Sequence, residues 1–127
     1  MTGSKLTRAL LFLVLSGAAN IGFSAGRYAD PPDGLVEVAQ FNEKALDAAK
    51  QGNKDAALEN AKQGRKIAYD SFKEKSTMPM QKASTNLKAA IASLEAGNTG
   101  EAATTLAEVK TVLDKEIEYY KGEGKLK

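Results

Sequence analysis

The sequence predicts an all-α protein, an up-down-up-down four-helix bundle built from two tandem helical hairpins. Three observations lead to this fold class. From residue 35 onward, apolar residues recur at intervals of three and four, which is the period of an amphipathic helix. A Gly-Asn pair stands at 52–53 and again at 97–98, and Pro79 interrupts the helical pattern between them. Because neither hairpin can bury its apolar stripe alone, we expect the two to close on each other.

Residues 1–25 are predicted to be a secretory signal peptide. Lys5 and Arg8 precede the apolar run ALLFLVLSGAANIGF, and small residues follow at 24–26, which is the typical order of such signals. The run is shorter than the roughly 20 residues that span a bilayer, and Gly17 and Asn20 interrupt it. We therefore expect cleavage and a periplasmic or secreted protein with no stable membrane anchor.

The remaining chain is predicted to be one domain with short ends. Residues 26–33 contain two consecutive prolines and are predicted to be an extended lead-in. The bundle should occupy residues 34–121, and residues 122–127 should form a flexible tail.

The first hairpin is predicted from an alanine-rich pattern. Helix one runs from Leu35 to near Gly52, with one polar interruption at Asn42. Asn53 is placed to cap helix two, because an asparagine side chain accepts a hydrogen bond from the first helical turn. The apolar stripe of helix two is Ala57, Ala61, Gly64, Ala68 and Phe72.

The second hairpin should supply most of the core. Helix three starts with Pro79 in its first turn and closes at Gly97. Asn98 and Glu101 stand three residues apart at the start of helix four, which is the spacing of a capping box. The residues expected to form the densest core are Leu87, Ile91, Leu94, Leu106, Val109 and Leu113.

A helical-repeat solenoid of the tetratricopeptide kind is the competing architecture, since KALDAAKQGNKDAALENA has the character of such a hairpin. Those repeats have a period of 34 residues, and at least three usually stack. Two units with a spacing near 45 residues favour the closed bundle.

Charge and composition argue against several functions. The chain has 18 basic and 16 acidic residues, but Lys5 and Arg8 lie in the predicted signal, so the remainder is balanced. No basic face and no affinity for nucleic acid are expected from this balance. The chain has neither His nor Cys, and thus lacks the usual nucleophile-base pairs and zinc ligands. We expect no enzymatic activity, and we interpret the carboxylate pair Asp114 and Glu118 as a solvated face.

Two groups of side chains are candidates for binding a ligand or a metal ion. The aromatic residues Tyr69, Phe72, Tyr119 and Tyr120 are expected to fill the wide end of the bundle, or else to line a ligand pocket. Met78 and Met80 are the candidate metal ligands, because thioethers favour Cu(I). The alternative is that Met80 begins the core stripe of helix three and Met78 plugs the turn before it.

Two alanine-rich stretches, ALDAAKQGNKDAALENAK and NLKAAIASLEAGNTGEAATTLAEV, resemble the exported small metal-binding protein family. The resemblance implies a four-helix bundle and an exported location. Metal binding in that family relies on histidines, and positions corresponding to several of them are occupied here by Asn53, Asn60, Asn86 and Asn98. None of these asparagines is expected to be a ligand, because amide oxygen binds transition metals poorly compared with imidazole.

A further stretch, LEAGNTGEAATTLAEVKTVLDKEIEYY, is similar to the periplasmic four-helix b-type cytochrome. That protein holds haem between Met and His, and this chain has no His. Haem binding of that type is therefore not expected.

Two functions follow as expectations. The first is an exported, non-enzymatic bundle of the small metal-binding protein type, with weak binding or buffering of copper through Met78 and Met80. The alternative is a cofactor-free structural or protein-interaction bundle, either a monomer or a homodimer.

Overall fold

The structure, a computed structural model, describes residues 28–127. The predicted signal peptide lies outside these residues. Within them four helices follow one another: α1 Leu35–Lys50, α2 Lys54–Glu74, α3 Met78–Glu95 and α4 Thr99–Gly122. The predicted helix boundaries near Gly52, just before Pro79 and near Gly97 are confirmed. In this part of the chain no helix combines the length and the apolar character needed to cross a membrane.

The four helices close into a bundle. Each helix packs against the next along the chain, and α1 packs against α4 to complete the ring. This closure confirms the predicted all-α four-helix bundle, whereas a solenoid would leave its first and last helices apart. The two hairpins thus bury each other's apolar stripes, as the pattern of alternating polar and apolar faces requires.

The two Gly-Asn turns have the same backbone geometry. Gly52 and Gly97 have φ values of 74° and 86°, a left-handed conformation that glycine adopts without steric cost. The amide of Asn53 donates to the carbonyl of Ala48 at 2.8 Å, and the amide of Asn98 donates to that of Ser93 at 2.8 Å. Both are the long hydrogen bond of a Schellman ending, so each turn completes one helix and positions the next.

The side chains of the two turns differ. The Oδ1 atom of Asn53 accepts a hydrogen bond from the amide of Ala56 at 3.2 Å, which confirms the predicted cap. The side chain of Asn98 makes no such bond, and the capping box predicted with Glu101 is wrong. Glu101 instead accepts from the hydroxyl of Ser93 at 3.0 Å. In a capping box, the side chain of Glu101 would accept from the backbone N–H of Asn98. That N–H already donates to the backbone carbonyl of Ser93, so it is not available to Glu101.

The core is formed mainly by leucine, valine and alanine. Five of the six residues predicted to be densest are fully buried, and these are Leu87, Leu94, Leu106, Val109 and Leu113. The sixth, Ile91, is only partly buried and packs at the edge of the core. Ala90 occupies the fully buried position beside it, so the small residue faces the bundle axis and the branched one faces outward.

The polar interruption in α1 is buried in the core. Asn42 is 1% exposed, and its Nδ2 atom donates to the carbonyl oxygen of Leu106 at 3.0 Å. Its Oδ1 atom has no hydrogen-bond partner. A buried amide without this bond is unfavourable, so the contact fixes how α1 sits along α4.

The ends of the described chain meet at one end of the bundle. The hydroxyl of Tyr120 donates to the carbonyl of Tyr28 at 2.8 Å, and Lys125 forms an ion pair with Asp30 at 3.4 Å. Leu126 is partly buried against the core. The predicted lead-in and tail therefore contact α4 and each other.

Candidate functional site

The two candidate metal ligands lie in the first turn of α3. Pro79 stands in that turn as predicted, since its missing amide hydrogen is not needed there. Met80 is fully buried in the core, whereas the side chain of Met78 is 49% exposed. Residues two apart on an α-helix lie about 200° apart around its axis, at 3.6 residues per turn. The fold thus places the two methionines on different sides of α3, and copper binding through the pair stays a prediction.

Other metal-ligating groups are dispersed. Within residues 28–127, no three or more His, Cys, Asp or Glu side chains come together as a group able to hold a metal ion. Two of the asparagines singled out above bond to backbone instead, because Asn53 caps α2 and Asn60 donates to the carbonyl of Ala56 at 2.9 Å. These two amides therefore serve the local structure of α2.

The carboxylate of Asp114 belongs to an ion pair on the surface. Its Oδ2 atom accepts from the ammonium of Lys110 at 2.9 Å, one turn earlier on α4. This hydrogen bond and the charge of Asp114 raise the pKa of Lys110, and the more distant Glu43 and Asp47 on α1 raise it further. The pair and both neighbouring acids lie on the side where α1 and α4 meet.

An open groove of about 500 Å³ runs between α1 and α4. Its apolar lining comes from both ends of the described chain, and consists of Val36, Ala39, Ile117 and Leu126. Val36 is 37% exposed, and the other three are partly buried. Ile117 is partly buried at the edge of the core and lines this groove. The sequence pattern gave no signal for the groove because its two walls lie about 80 residues apart in the chain.

Charged side chains divide the groove into two ends. Glu43 and Asp114 line one end, and Lys121 and Lys127 line the other. The division follows from antiparallel packing, since α1 runs from Val36 toward Glu43 while α4 runs from Asp114 toward Lys121. The groove thus combines an apolar centre with an acidic end and a basic end.

The aromatic residues predicted to lie together occupy different environments. Tyr120 is 1% exposed and fills the end of the bundle as expected, with Tyr119 edge-on at 5.0 Å between ring centroids. Tyr69 is exposed on α2, so the prediction that it fills the bundle is wrong. Its position on the outer face of α2 carries its ring away from the core, where Ala68 and Ser71 are buried instead.

Comparison with known proteins gives no assignment. No family model matches the chain, and no curated protein and no solved structure matches it.

Proposed function

We propose that the protein is an exported, non-enzymatic interaction bundle that uses no cofactor and pairs with a second copy of itself through the groove between α1 and α4. The observation that carries this proposal is the groove itself, with its apolar centre and its two oppositely charged ends. Apolar surface flanked by charged residues is typical of protein-protein contacts, in which the centre supplies affinity and the rim supplies orientation.

The charge distribution favours a second copy as the occupant. A homodimer with two-fold symmetry brings the same surface of both chains together, so that residue i meets residue j and residue j meets residue i. When the axis passes through the centre of the groove, the end lined by Glu43 and Asp114 faces the end of the partner lined by Lys121 and Lys127. The groove is therefore complementary to itself in charge. Ala39 and Ile117 of the two copies meet at the centre, and Val36 of each copy faces the acidic end of the other.

The proposal is tested by sedimentation equilibrium of the purified protein over a range of concentrations. We expect reversible dimerisation that weakens as salt is added, because rim charges are screened. Val36→Asp should weaken it at least tenfold, because the new carboxylate lies opposite Glu43 and Asp114 of the second copy. Since Val36 is exposed in the single chain, this variant should keep its helical circular dichroism.

Charge exchange distinguishes this geometry from general association. Glu43→Lys and Lys121→Glu should each weaken the dimer several-fold, because each places like charges opposite one another. The double variant reverses both ends and should restore the dimer. Lys88→Glu, on the exposed side of α3, is the control with an equal change in charge and should have no effect. A protein that stays monomeric at millimolar concentration, or a double variant that is not restored, would contradict the proposal.

A further inference from the structure

The exposed side of α2 carries a local excess of positive charge that the balanced composition conceals. From residue 62 to residue 73 the helix has four basic residues, Lys62, Arg65, Lys66 and Lys73, against one acidic residue, Asp70. The balanced net charge of the chain does not describe this stretch, because net charge does not show how a helix groups charged residues.

Two of these cations converge on one aromatic ring. The guanidinium of Arg65 lies 5.6 Å from the ring centroid of Tyr69, and the ammonium of Lys73 lies 5.4 Å from it. Residues four apart on a helix are neighbours on its surface, so Arg65, Tyr69 and Lys73 form one continuous row. The face of the ring attracts each cation, but two positive charges held beside one ring repel each other. An anion bound beside the ring would offset this repulsion.

The hydrogen-bond donors of this row have no acceptors among the described residues. The Nε atom of Arg65 is shielded from solvent and has no partner there, so the terminal nitrogens of the guanidinium are the donors that a ligand can reach from solvent. The ion pairs within residues 28–127 involve other basic residues, including Lys62 with Glu95 and Lys66 with Asp70. The hydroxyl of Tyr69, whose residue is 44% exposed, also bonds to no described group. Three donors of different kinds are thus available along one helical face.

We propose that Arg65, Tyr69 and Lys73 bind a phosphate or sulfate group. A tetrahedral oxyanion has enough acceptor oxygens for three donors, and its negative charge offsets the repulsion between the two cations. The planar guanidinium of Arg65 suits paired hydrogen bonds to two oxygens, while Lys73 contributes a compact charge and Tyr69 a neutral donor. Because Arg65 is half-buried and held against the ring, less of its freedom is lost on binding.

This site is independent of the groove. It lies on α2, which packs against α1 and α3, whereas the groove is lined by α1, α4 and the residues after α4. The anion site consequently does not require the dimer, and each proposal can fail without the other.

The test is a titration of the purified ¹⁵N-labelled protein with sodium phosphate and with sodium sulfate, followed by amide chemical shifts at constant ionic strength. Sodium chloride is the control for screening. We expect saturable shifts centred on residues 65–73 with phosphate or sulfate, and none with chloride. Arg65→Gln and Lys73→Gln should each weaken binding about tenfold or more, as expected for the loss of a charge-assisted hydrogen bond. Lys73 is exposed, so Lys73→Gln tests the site even if Arg65→Gln unfolds.

Two further variants test whether anion binding needs this row, or whether a single cation beside an aromatic ring is enough. Tyr69→Phe keeps the ring and removes the hydroxyl, and it should weaken binding several-fold. Lys44→Gln removes the cation that lies 5.7 Å from the ring centroid of Phe41 on α1, and among residues 28–127 no second cation lies over that ring. This control variant should bind as the parent does.

The source of the oxyanion is distinguished by a second arm, co-sedimentation with phosphatidylcholine vesicles that contain or lack phosphatidic acid. Shifts with the free anions and no vesicle binding support a soluble phosphorylated or sulfated ligand. Binding that requires phosphatidic acid and is lost in Lys73→Gln supports a lipid headgroup. The proposal is overturned if neither arm shows binding, or if Lys73→Gln binds phosphate and sulfate as tightly as the parent.

Discussion

The two hairpins share a turn geometry but make different contributions to the core. Of the nine largest side chains that are less than 2% exposed, seven lie in the α3–α4 hairpin, whereas Val38 and Asn42 lie in the α1–α2 hairpin, in which Leu35 and Leu46 are 2% and 4% exposed. The first hairpin instead buries small residues, among them Ala45, Ala57, Ala61, Gly64 and Ala68. One hairpin supplies volume and the other allows close approach, so a repeated turn motif does not imply a repeated core.

The contact between Gly64 and Leu87 shows how the two contributions fit. A Cβ atom added to Gly64 would lie 3.6 Å from a methyl group of Leu87 and 3.3 Å from the Cβ atom of Phe41 on α1. Large side chains of the second hairpin therefore occupy the space that small residues of the first leave open. The stability of the bundle should depend on both halves, but through different kinds of substitution.

The largest effect is expected from truncation in the second hairpin. Leu94→Ala should lower the free energy of unfolding by about 2 to 4 kcal/mol, because it removes buried methyl groups and leaves a cavity. Urea denaturation followed by circular dichroism measures this change. Leu58→Ala, at a partly buried position of the first hairpin, is the matched control and should cost clearly less. Equal losses in the two variants would contradict the proposed division between the hairpins.

The connection between the hairpins gives the next test. Replacing Met78 and Met80 together by leucine nearly conserves volume and should cost less than about 1.5 kcal/mol per site. Any Cu(I) affinity should be modest and should disappear in this double variant, since thioethers are the soft ligands available there. Anaerobic Cu(I) titration of parent and variant measures both.

Single variants refine the copper test. Met78→Leu alters an exposed position, and Met80→Leu alters a fully buried one. If copper binding depends on both sulfur atoms, each single variant should lose it. If the parent binds no Cu(I), or the double variant binds as the parent does, the two methionines have only structural roles, and the cofactor-free bundle is the better description.

Gly64→Ala tests how closely α2 packs against α1 in the first hairpin. Alanine favours a helix over glycine by about 1 kcal/mol, but overpacking a well-filled core typically costs about 1 to 3 kcal/mol. Because the nearest atom is a Cβ atom that moves only with the backbone of α1, we expect a net loss of about 1 kcal/mol or less. Gly100→Ala, which meets no atom within 4 Å, should instead be neutral or stabilising. The melting temperature should therefore fall in Gly64→Ala, and it should stay the same or rise in Gly100→Ala.

Effects of the same size as that of Gly64→Ala, or smaller, are expected at the two turns, where the hairpins look most alike. Asn53→Ala removes a side-chain cap and should cost about 1 kcal/mol, whereas Asn98→Ala removes none and should cost only a few tenths. Both variants keep the glycine that precedes the asparagine. Equal losses in chemical denaturation would show that the two side chains serve the same purpose.

Most of the fold could be predicted because its signals are local. The positions of Gly52, Gly97 and Pro79 mark the helix boundaries through backbone geometry alone, and the three-and-four spacing marks the buried face of each helix. The separation of Met78 from Met80 could have been predicted in the same way, since residues two apart in a helical first turn face different sides.

The candidate sites could not be predicted as well as the fold. They combine residues from distant parts of the chain, or they depend on which hydrogen-bond partners each side chain has in the packed structure. The groove combines Val36 with Leu126, and Asn42 bonds to a carbonyl 64 residues away. The row on α2 is local in sequence, and its spacing of four residues was available as a signal. That these donors lack acceptors could not be predicted, because only the packed structure shows whether a carboxylate approaches Arg65 or Lys73.

The sequence by itself determined the helices, their order and the two hairpin turns, because backbone preferences and apolar periodicity act over a few residues. Tertiary structure decided that Ala90 rather than Ile91 faces the axis, and that Glu101 bonds to Ser93 rather than capping its own helix. It also decided that the walls of the groove carry opposite charges at opposite ends. These outcomes depend on which groups lie next to a given side chain. The rotation of each helix about its axis, and its position along the bundle, determine those neighbours.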